Sequence, residues 1–255
     1  MAGERKPYKV EITEVTDENG DGRIDLSDVE YLMRNKKNTM TLLEGDGDFR
    51  SPECVELLKE ADIVVTNPPF SLFRDYVALL MQYNKQFAII GNQNAITYRE
   101  IFPLIKSNKI WLGYNNGHYW FMVPDSYEEK KTDFKIDESG QKWRRMGNIC
   151  WFTNLDIEKR HEDMTLFRTY SPDIYPKYDN YDAIEVSKTA DIPCDYDGYM
   201  GVPITFMQYY NPEQFEIAGL DDHRVEWVGH GPRLNGKVKY RRVIIRRKQV
   251  NINEN

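Results

Sequence analysis

The chain is poor in cysteine, has no long apolar run and carries no net positive charge, and each shortage excludes a class of protein. Its three cysteines, Cys54, Cys150 and Cys194, stand far apart with no C-x-x-C spacing. Neither a disulfide framework nor a zinc site is expected, and a reducing compartment fits. No apolar stretch approaches the roughly 20 residues that a membrane helix needs, and Met1-Ala2-Gly3-Glu4-Arg5-Lys6 is followed by no apolar signal core. A cytoplasmic location is the expectation. With 34 basic against 41 acidic side chains the formal charge is −7, which argues against a protein that coats nucleic acid non-specifically. The 255 residues suffice for one domain, or one and a half, with a sizeable core.

Charge is unevenly placed. From Arg233 to Lys248 the chain carries Arg233, Lys237, Lys239, Arg241, Arg242, Arg246, Arg247 and Lys248 without an acid, interleaved with Val238, Tyr240, Val243, Ile244 and Ile245. One reading is a solvated strand. The other is a run that meets DNA phosphates, with Arg241, Arg242, Arg246 and Arg247 as the contacting residues.

The first half reads as α/β. Lys9 to Val15 and Thr39 to Leu43 alternate like strands, Ser51-Pro52 opens a helix to Glu60, and Asp62 to Thr66 is a short apolar strand. Ser71 to Tyr83 places Leu72, Phe73, Tyr76, Val77 and Leu80 on one helical face, and Phe87 to Gly91 is the next strand. Thr97-x-x-Glu100 has the form of a capping box, with Pro103 a kink or a first turn beyond it. Asn116-Gly117 predicts a hairpin between Ile110–Tyr114 and His118–Val123. After Pro124 the chain turns polar, with a turn at Asp137-Glu138-Ser139-Gly140, and then alternates tyrosines, prolines and short strands in mainly β character.

The segment richest in chemistry is Asn67-Pro68-Pro69-Phe70, between the run Ile63-Val64-Val65-Thr66 and the helix from Ser71. A β-branched run flowing into Pro-Pro and then into helical periodicity reads as a buried parallel strand, a tight turn and a crossover helix. Ligands of open α/β sheets bind at the carboxyl ends of such strands. Neither proline has an N–H, so the turn presents carbonyls and the Asn amide. An exocyclic amine can donate one hydrogen to the Asn67 side-chain oxygen and another to the Pro68 carbonyl, while Phe70 offers a stacking face. The plainer alternative is a β-turn before a helix, with Phe70 a core anchor.

A second pattern lies near the start. Asp17-Glu18-Asn19-Gly20-Asp21-Gly22-Arg23-Ile24-Asp25-Leu26-Ser27-Asp28 fits the EF-hand spacing, with Asp17, Asn19, Asp21, the Arg23 carbonyl and Asp28 as the ligands of a calcium ion and Val29 to Asn35 as the exiting helix. The metal-free alternative is an acidic turn in which Ser27 caps a helix and Glu30 completes a capping box.

The tetrapeptide resembles motif IV of the amino-methyltransferases. Together with Gly45-Asp46-Gly47-Asp48-Phe49-Arg50-Ser51, Ile89-Ile90-Gly91-Asn92, Gly147-Asn148-Ile149-Cys150-Trp151-Phe152-Thr153-Asn154-Leu155, Tyr178-Asp179-Asn180-Tyr181-Asp182-Ala183 and Gly201-Val202-Pro203-Ile204-Thr205-Phe206, it resembles the EcoRI-type adenine-specific DNA methyltransferases over nearly the whole chain from Gly45. The resemblance implies an enzyme of restriction-modification that transfers a methyl group from S-adenosylmethionine to N6 of an adenine flipped out of double-stranded DNA. Asn67, Pro68, Pro69 and Phe70 would be its catalytic residues. Asp48 and Phe49 would hold the adenine end of the cofactor, although Asp48 also reads as a turn carboxylate before Ser51. The implied fold is α/β: residues 1–124 form a partial Rossmann-like catalytic sheet ending in an antiparallel hairpin, and residues 125–255 a mixed, mainly β recognition region.

The family's Gly-rich cofactor turn is not found upstream. Leu42-Leu43-Glu44-Gly45-Asp46-Gly47 lies fewer than 25 residues from Asn67, too few for the intervening strands and helices of a doubly wound half-sheet. The expectation is an N-terminally incomplete member whose missing lobe is supplied by another chain. Two other readings stand beside it: a DNA-binding remnant without catalysis, and an N-methyltransferase acting on a protein amide.

Overall fold

The computed structural model describes residues 6–34, 39–221 and 231–248, and the chain divides into two compact units, Met1–Asp62 and Ile63–Asn255. In the first unit, β1 (Tyr8–Glu11) pairs antiparallel with β2 (Thr39–Leu42), from Tyr8 opposite Leu42 to Glu11 opposite Thr39. Between them runs α1 (Leu26–Arg34), so the last expected residue of that helix, Asn35, lies outside the described residues. The helix α2 (Pro52–Glu60) begins as its sequence predicts. The Ser51 side chain accepts from the Cys54 N–H, and Pro52 stands in the first turn where a missing N–H costs nothing. Glu53 in the first turn and Lys59 in the last both suit the helix dipole.

The second unit holds the larger sheet, in the order β3–β4–β7–β5 with β6 against β7. Here β3 (Ile63–Thr66) and β4 (Gln86–Asn92) are parallel, joined by α3 (Phe73–Gln82). The α3 face made of Phe73, Val77 and Leu80 is fully buried, the i, i+4, i+7 spacing of a helix on a sheet. Each such side chain contributes about 1.5–3 kcal/mol of burial. Gly91 on β4 allows that helix its close approach. A Cβ at Gly91 would stand 2.6 Å from the Phe73 ring and 2.9 Å from that of Phe152, and those two rings meet at 5.0 Å between centroids.

The antiparallel half consists of β5 (Trp111–Met122) and β7 (Lys142–Thr153), with β6 (Phe134–Ile136) beyond. Side chains at the end of β7 and just after it fix the register of the sheet. The Phe87 N–H donates to Asn154 Oδ1 at 2.8 Å, Asn154 Nδ2 to the Lys85 carbonyl at 2.8 Å, and Thr153 Oγ1 to the Phe87 carbonyl at 2.6 Å. The expected hairpin at Asn116-Gly117 does not form. The strand β5 runs through both residues opposite Cys150 and Ile149, with register shifts on either side of them. Pairing to the long strand β7 overrides the local turn preference, which is absorbed as bulges. The connection reverses instead in residues 123–141, where Asp137–Gly140 makes the expected turn. The sheet therefore continues past residue 124.

Nor does the Thr97-x-x-Glu100 capping box form. Thr97 ends a 3-10 turn, Gln93–Thr97, and its hydroxyl donates to the Asn94 carbonyl. The following helix, α4 (Phe102–Lys106), carries Pro103 in its first turn.

A second sheet follows, built from β8 (Ala183–Glu185), β9 (Tyr199–Val202), β10 (Phe215–Leu220) and, after the ribbon of β11 (Arg233–Leu234) and β12 (Lys237–Val238), β13 (Val243–Arg247). Its order is β10–β13–β9–β8, and Ile184, Met200, Val202, Ile217 and Val243 to Ile245 fill its core. Asn235 and Gly236 both adopt positive φ, at 51° and 74°, the geometry that Asn-Gly favours in a two-residue hairpin. The Lys106 Nζ donates to the Ala218 carbonyl and ties α4 to β10. The whole is mixed α/β, with several sheets and few helices. Among the described residues no helix is long and apolar enough to cross a membrane.

Candidate active site at the strand ends

The parallel pair β3–β4 brings two turns together at its carboxyl edge. With Thr66 opposite Ile89, β3 ends into Asn67-Pro68-Pro69-Phe70 and β4 runs on to Asn92. Pro68 is buried and anchors the first turn, whereas Asn67, Pro69 and Phe70 are exposed, Phe70 at 42%. The Leu72 N–H donates to the Pro69 carbonyl and the Phe73 N–H to that of Phe70, so the turn winds through a 3-10 segment straight into α3. Among the described residues the Asn67 side chain has no hydrogen-bond partner. An open carboxamide, two prolines that cannot donate and an uncovered aromatic face make an acceptor site for an amine on a planar ring.

The second turn is tied more tightly. Asn92 Oδ1 accepts from the Asn94 N–H at 2.9 Å and caps the 3-10 turn that follows. One helical turn beyond Phe70, the Arg74 guanidinium lies over the Tyr98 ring at 5.7 Å and stands 3.9 Å from Glu100. No motif marked Arg74 or Tyr98 in the sequence. The sole signal for this neighbourhood was Gly91-Asn92 closing the β4 run.

Asp48 and Phe49 belong to the first unit. Both oxygens of Asp48 engage Arg50, at 2.9 Å to Nε and 2.7 Å to Nη2, and the Arg50 N–H donates to Oδ1 as well. These bonds hold the carboxyl down at about 2. The Asp48 carbonyl accepts from the Ser51 N–H, which fits the turn-carboxylate reading. The Arg50 guanidinium also covers the Phe49 ring at 5.1 Å.

The Asp17–Asp28 loop does not form a calcium-type shell. Asp17 accepts from the N–H groups of Gly20, Asp21 and Gly22. Asp28, fully buried, accepts from those of Glu18, Asn19 and Asp25, and the bond from Asp25 leads in lowering its pKa. Asn19 Nδ2 donates to Ser27 Oγ and Asp21 Oδ1 accepts from the Arg23 N–H. Backbone amides thus occupy the carboxylates that were to converge on a cation. Among the described residues no group of three His, Cys, Asp or Glu side chains could hold a metal.

The basic run of the last strand divides. Arg241 is exposed and donates from Nη1 to Thr97 Oγ1 at 2.8 Å. Arg242 turns inward, at 2.6 and 3.1 Å from the two oxygens of buried Glu185, which also accepts from the Tyr178 hydroxyl. Burial opposes the ionisation of Glu185, but the bonds from Arg242 and Tyr178 outweigh it and its pKa falls. Arg246 pairs with Glu216 at 2.6 Å, and Arg247 donates to the Cys194 carbonyl. Of the four arginines expected on phosphates, Arg242 is a core residue, Arg246 and Arg247 have protein partners, and Arg241 alone opens toward the strand ends.

Comparison with known proteins adds to this geometry. The family model described as "Adenine-specific methyltransferase EcoRI" matches residues 1–248. The type II methyltransferase M.EcoRI of Escherichia coli is 51% identical over 214 residues, covering 81% of this chain and 64% of the relative. M.MgeORF184P of Mycoplasma genitalium is 42% identical over 240 residues, covering 86% and 75%, and M.MpnI of Mycoplasma pneumoniae is 41% identical over 229 residues, covering 81% and 70%. The chain thus spans 64% of the length of M.EcoRI. No solved structure matches it.

Proposed function

The chain belongs to the EcoRI adenine-specific methyltransferase family, and from that premise we propose that it carries the base-accepting half of an enzyme that methylates N6 of adenine in double-stranded DNA. The observation that carries this reading is the open carboxamide of Asn67 beside the exposed ring of Phe70, at the carboxyl edge of a parallel strand pair. The extruded adenine stacks on Phe70. Its exocyclic amine donates one hydrogen to Asn67 Oδ1 and the other to the Pro68 carbonyl, which holds the nitrogen lone pair in line for attack and stabilises the positive charge that develops on it. Pro69 keeps the turn free of a competing donor. The strand order β3–β4–β7–β5 fits the second half of a Rossmann-like methyltransferase sheet.

S-adenosylmethionine supplies the methyl group in this chemistry, and the residues present fit it in part. Asp48 and Phe49 would serve its adenine end, with Asp48 drawn away from Arg50. The chain has no Gly-rich turn for the methionine end. We read that turn as coming from another polypeptide, and the working location as the cytoplasm. Arg241 serves DNA, whereas Arg242, Arg246 and Arg247 hold the second sheet.

The test is tritium transfer from labelled S-adenosylmethionine to unmethylated plasmid DNA. The chain would be used alone and fused behind the segment of M.EcoRI that it does not match. The fusion is expected to label adenine and its Asn67→Ala form to lose nearly all transfer. Unchanged labelling by Asn67→Ala would remove Asn67 from the chemistry, and label on protein instead of DNA would favour an amide substrate.

A further inference from the structure

Beside the Asn67–Phe70 turn, in the second unit, lies a cleft of about 740 Å³. Three arginines from separate stretches of chain line it: Arg74 on α3, Arg99 after the 3-10 turn that follows β4, and Arg241 just before β13. One acid, Glu100, stands among them, 3.9 Å from Arg74. Arg242 also lines the cleft, but its charge is spent on Glu185. Among the described residues neither Arg99 nor Arg241 has an ion-pair partner. In a chain of net charge −7, three exposed guanidinium groups against one carboxylate form a local concentration of positive charge. Two aromatic rings complete the walls, Tyr98 under Arg74 and Tyr240, 87% exposed.

A planar guanidinium grips two phosphate oxygens at once, and an exposed tyrosine offers a face to sugar or base. We propose that this cleft seats the phosphodiester backbone of the target strand immediately beside the extruded nucleotide, held by Arg74, Arg99 and Arg241 with Tyr240 against the neighbouring sugar or base. The proposal rests on the methyltransferase reading above and adds positioning residues to it. Arg74 stands one helical turn after Phe70, so a backbone held there leaves the flipped base within reach of the ring. The Arg241–Thr97 hydrogen bond pins one wall of the cleft to the other, which keeps Arg241 oriented before DNA arrives.

The experiment is the salt dependence of binding by the full chain to a fluorescein-labelled DNA duplex, read by fluorescence anisotropy. For the combined variant Arg74→Gln, Arg99→Gln, Arg241→Gln, the slope of log affinity against log salt should flatten by about 0.9 for each phosphate no longer neutralised, hence by about 2 to 3. All three side chains are exposed, so the melting temperature should hold and show that the fold is intact. The combined variant Lys130→Gln, Lys131→Gln, Lys188→Gln removes the same charge elsewhere and should flatten the slope by less than about 1. An unchanged slope in the arginine variant, or equal flattening in the lysine variant, overturns the cleft and leaves the methyltransferase reading standing. A wild-type chain that binds no duplex at any salt concentration overturns both.

Discussion

The Asp17–Asp28 loop and the Asn67–Phe70 turn both carry a sequence pattern that points to a ligand, and they differ in what is left over once the chain has folded. In the loop the carboxylates of Asp17 and Asp28 each accept three backbone N–H groups. In the turn, Asn67 and Phe70 stay open while Pro68 alone is buried. Unspent hydrogen-bonding capacity separates a site from a scaffold, because a buried polar group without a partner costs about 1–3 kcal/mol and a fold that leaves groups unpaired must keep them at the surface. The adjacent residues Arg241 and Arg242 repeat the contrast.

The sharpest way to break that contrast is to remove a group already committed within the fold. Arg242→Ala strands the buried Glu185 carboxylate and should destabilise the fold by about 3–5 kcal/mol, whereas Arg241→Ala should change stability by less than about 0.5 kcal/mol. Chemical denaturation of both variants checks this, and equal effects would end the distinction. The wild type adds a pH signature. The pKa of Glu185 is lowered by folding, so its contribution is fully present above the ordinary carboxylate value of about 4.3 and is lost as pH falls below it. Glu185→Gln should flatten the acid limb of a stability–pH curve.

Next in size is the open group itself. In the fusion described above, Asn67→Ala should lower methyl transfer on the order of 10²–10³-fold, as for loss of one group that steadies charge in the transition state, with no shift in melting temperature. A comparable loss of stability would make Asn67 part of the scaffold.

The cofactor end gives a smaller effect. Because Asp48 is committed to Arg50 and no Gly-rich turn is present, calorimetry should find S-adenosylmethionine bound by the chain alone at least about a hundredfold more weakly than by the fusion, and no turnover without it. Micromolar affinity together with methylation by the chain alone would show that its own residues hold the whole cofactor.

The smallest expected effect is none. With its carboxylates held by amides, the Asp17–Asp28 loop should give no saturable rise in melting temperature up to millimolar calcium. A rise that saturates would restore the calcium-type shell through its preferential binding to the folded state.

Much of this contrast can be read in the sequence where the signal is local. Ser51-Pro52 announces α2, the β-branched run before Asn67 announces β3, and the spacing of Phe73, Val77 and Leu80 announces α3. The signals fail where a distant partner decides. Asn116-Gly117 is a strong turn pair, yet β7, well further along the chain, draws it into a continuous strand. Arg242 looks like its neighbours in a basic run until Glu185 arrives from β8. The same holds for Arg74, Arg99 and Arg241, which share a cleft only because the two sheets bring them together, a proximity with no trace along the chain.

Gly91 has a genetic consequence. A side chain there would displace the buried rings of Phe73 and Phe152, and Phe73 is the first residue of the helix that carries Arg74 and follows directly from the Phe70 turn. An allele with Gly91→Ala would leave intact every residue proposed to touch adenine or phosphate, yet shift both relative to the sheet. In a screen for cells that fail to protect their DNA it should score with the Asn67 alleles, a loss of function mapped to a position that meets no substrate.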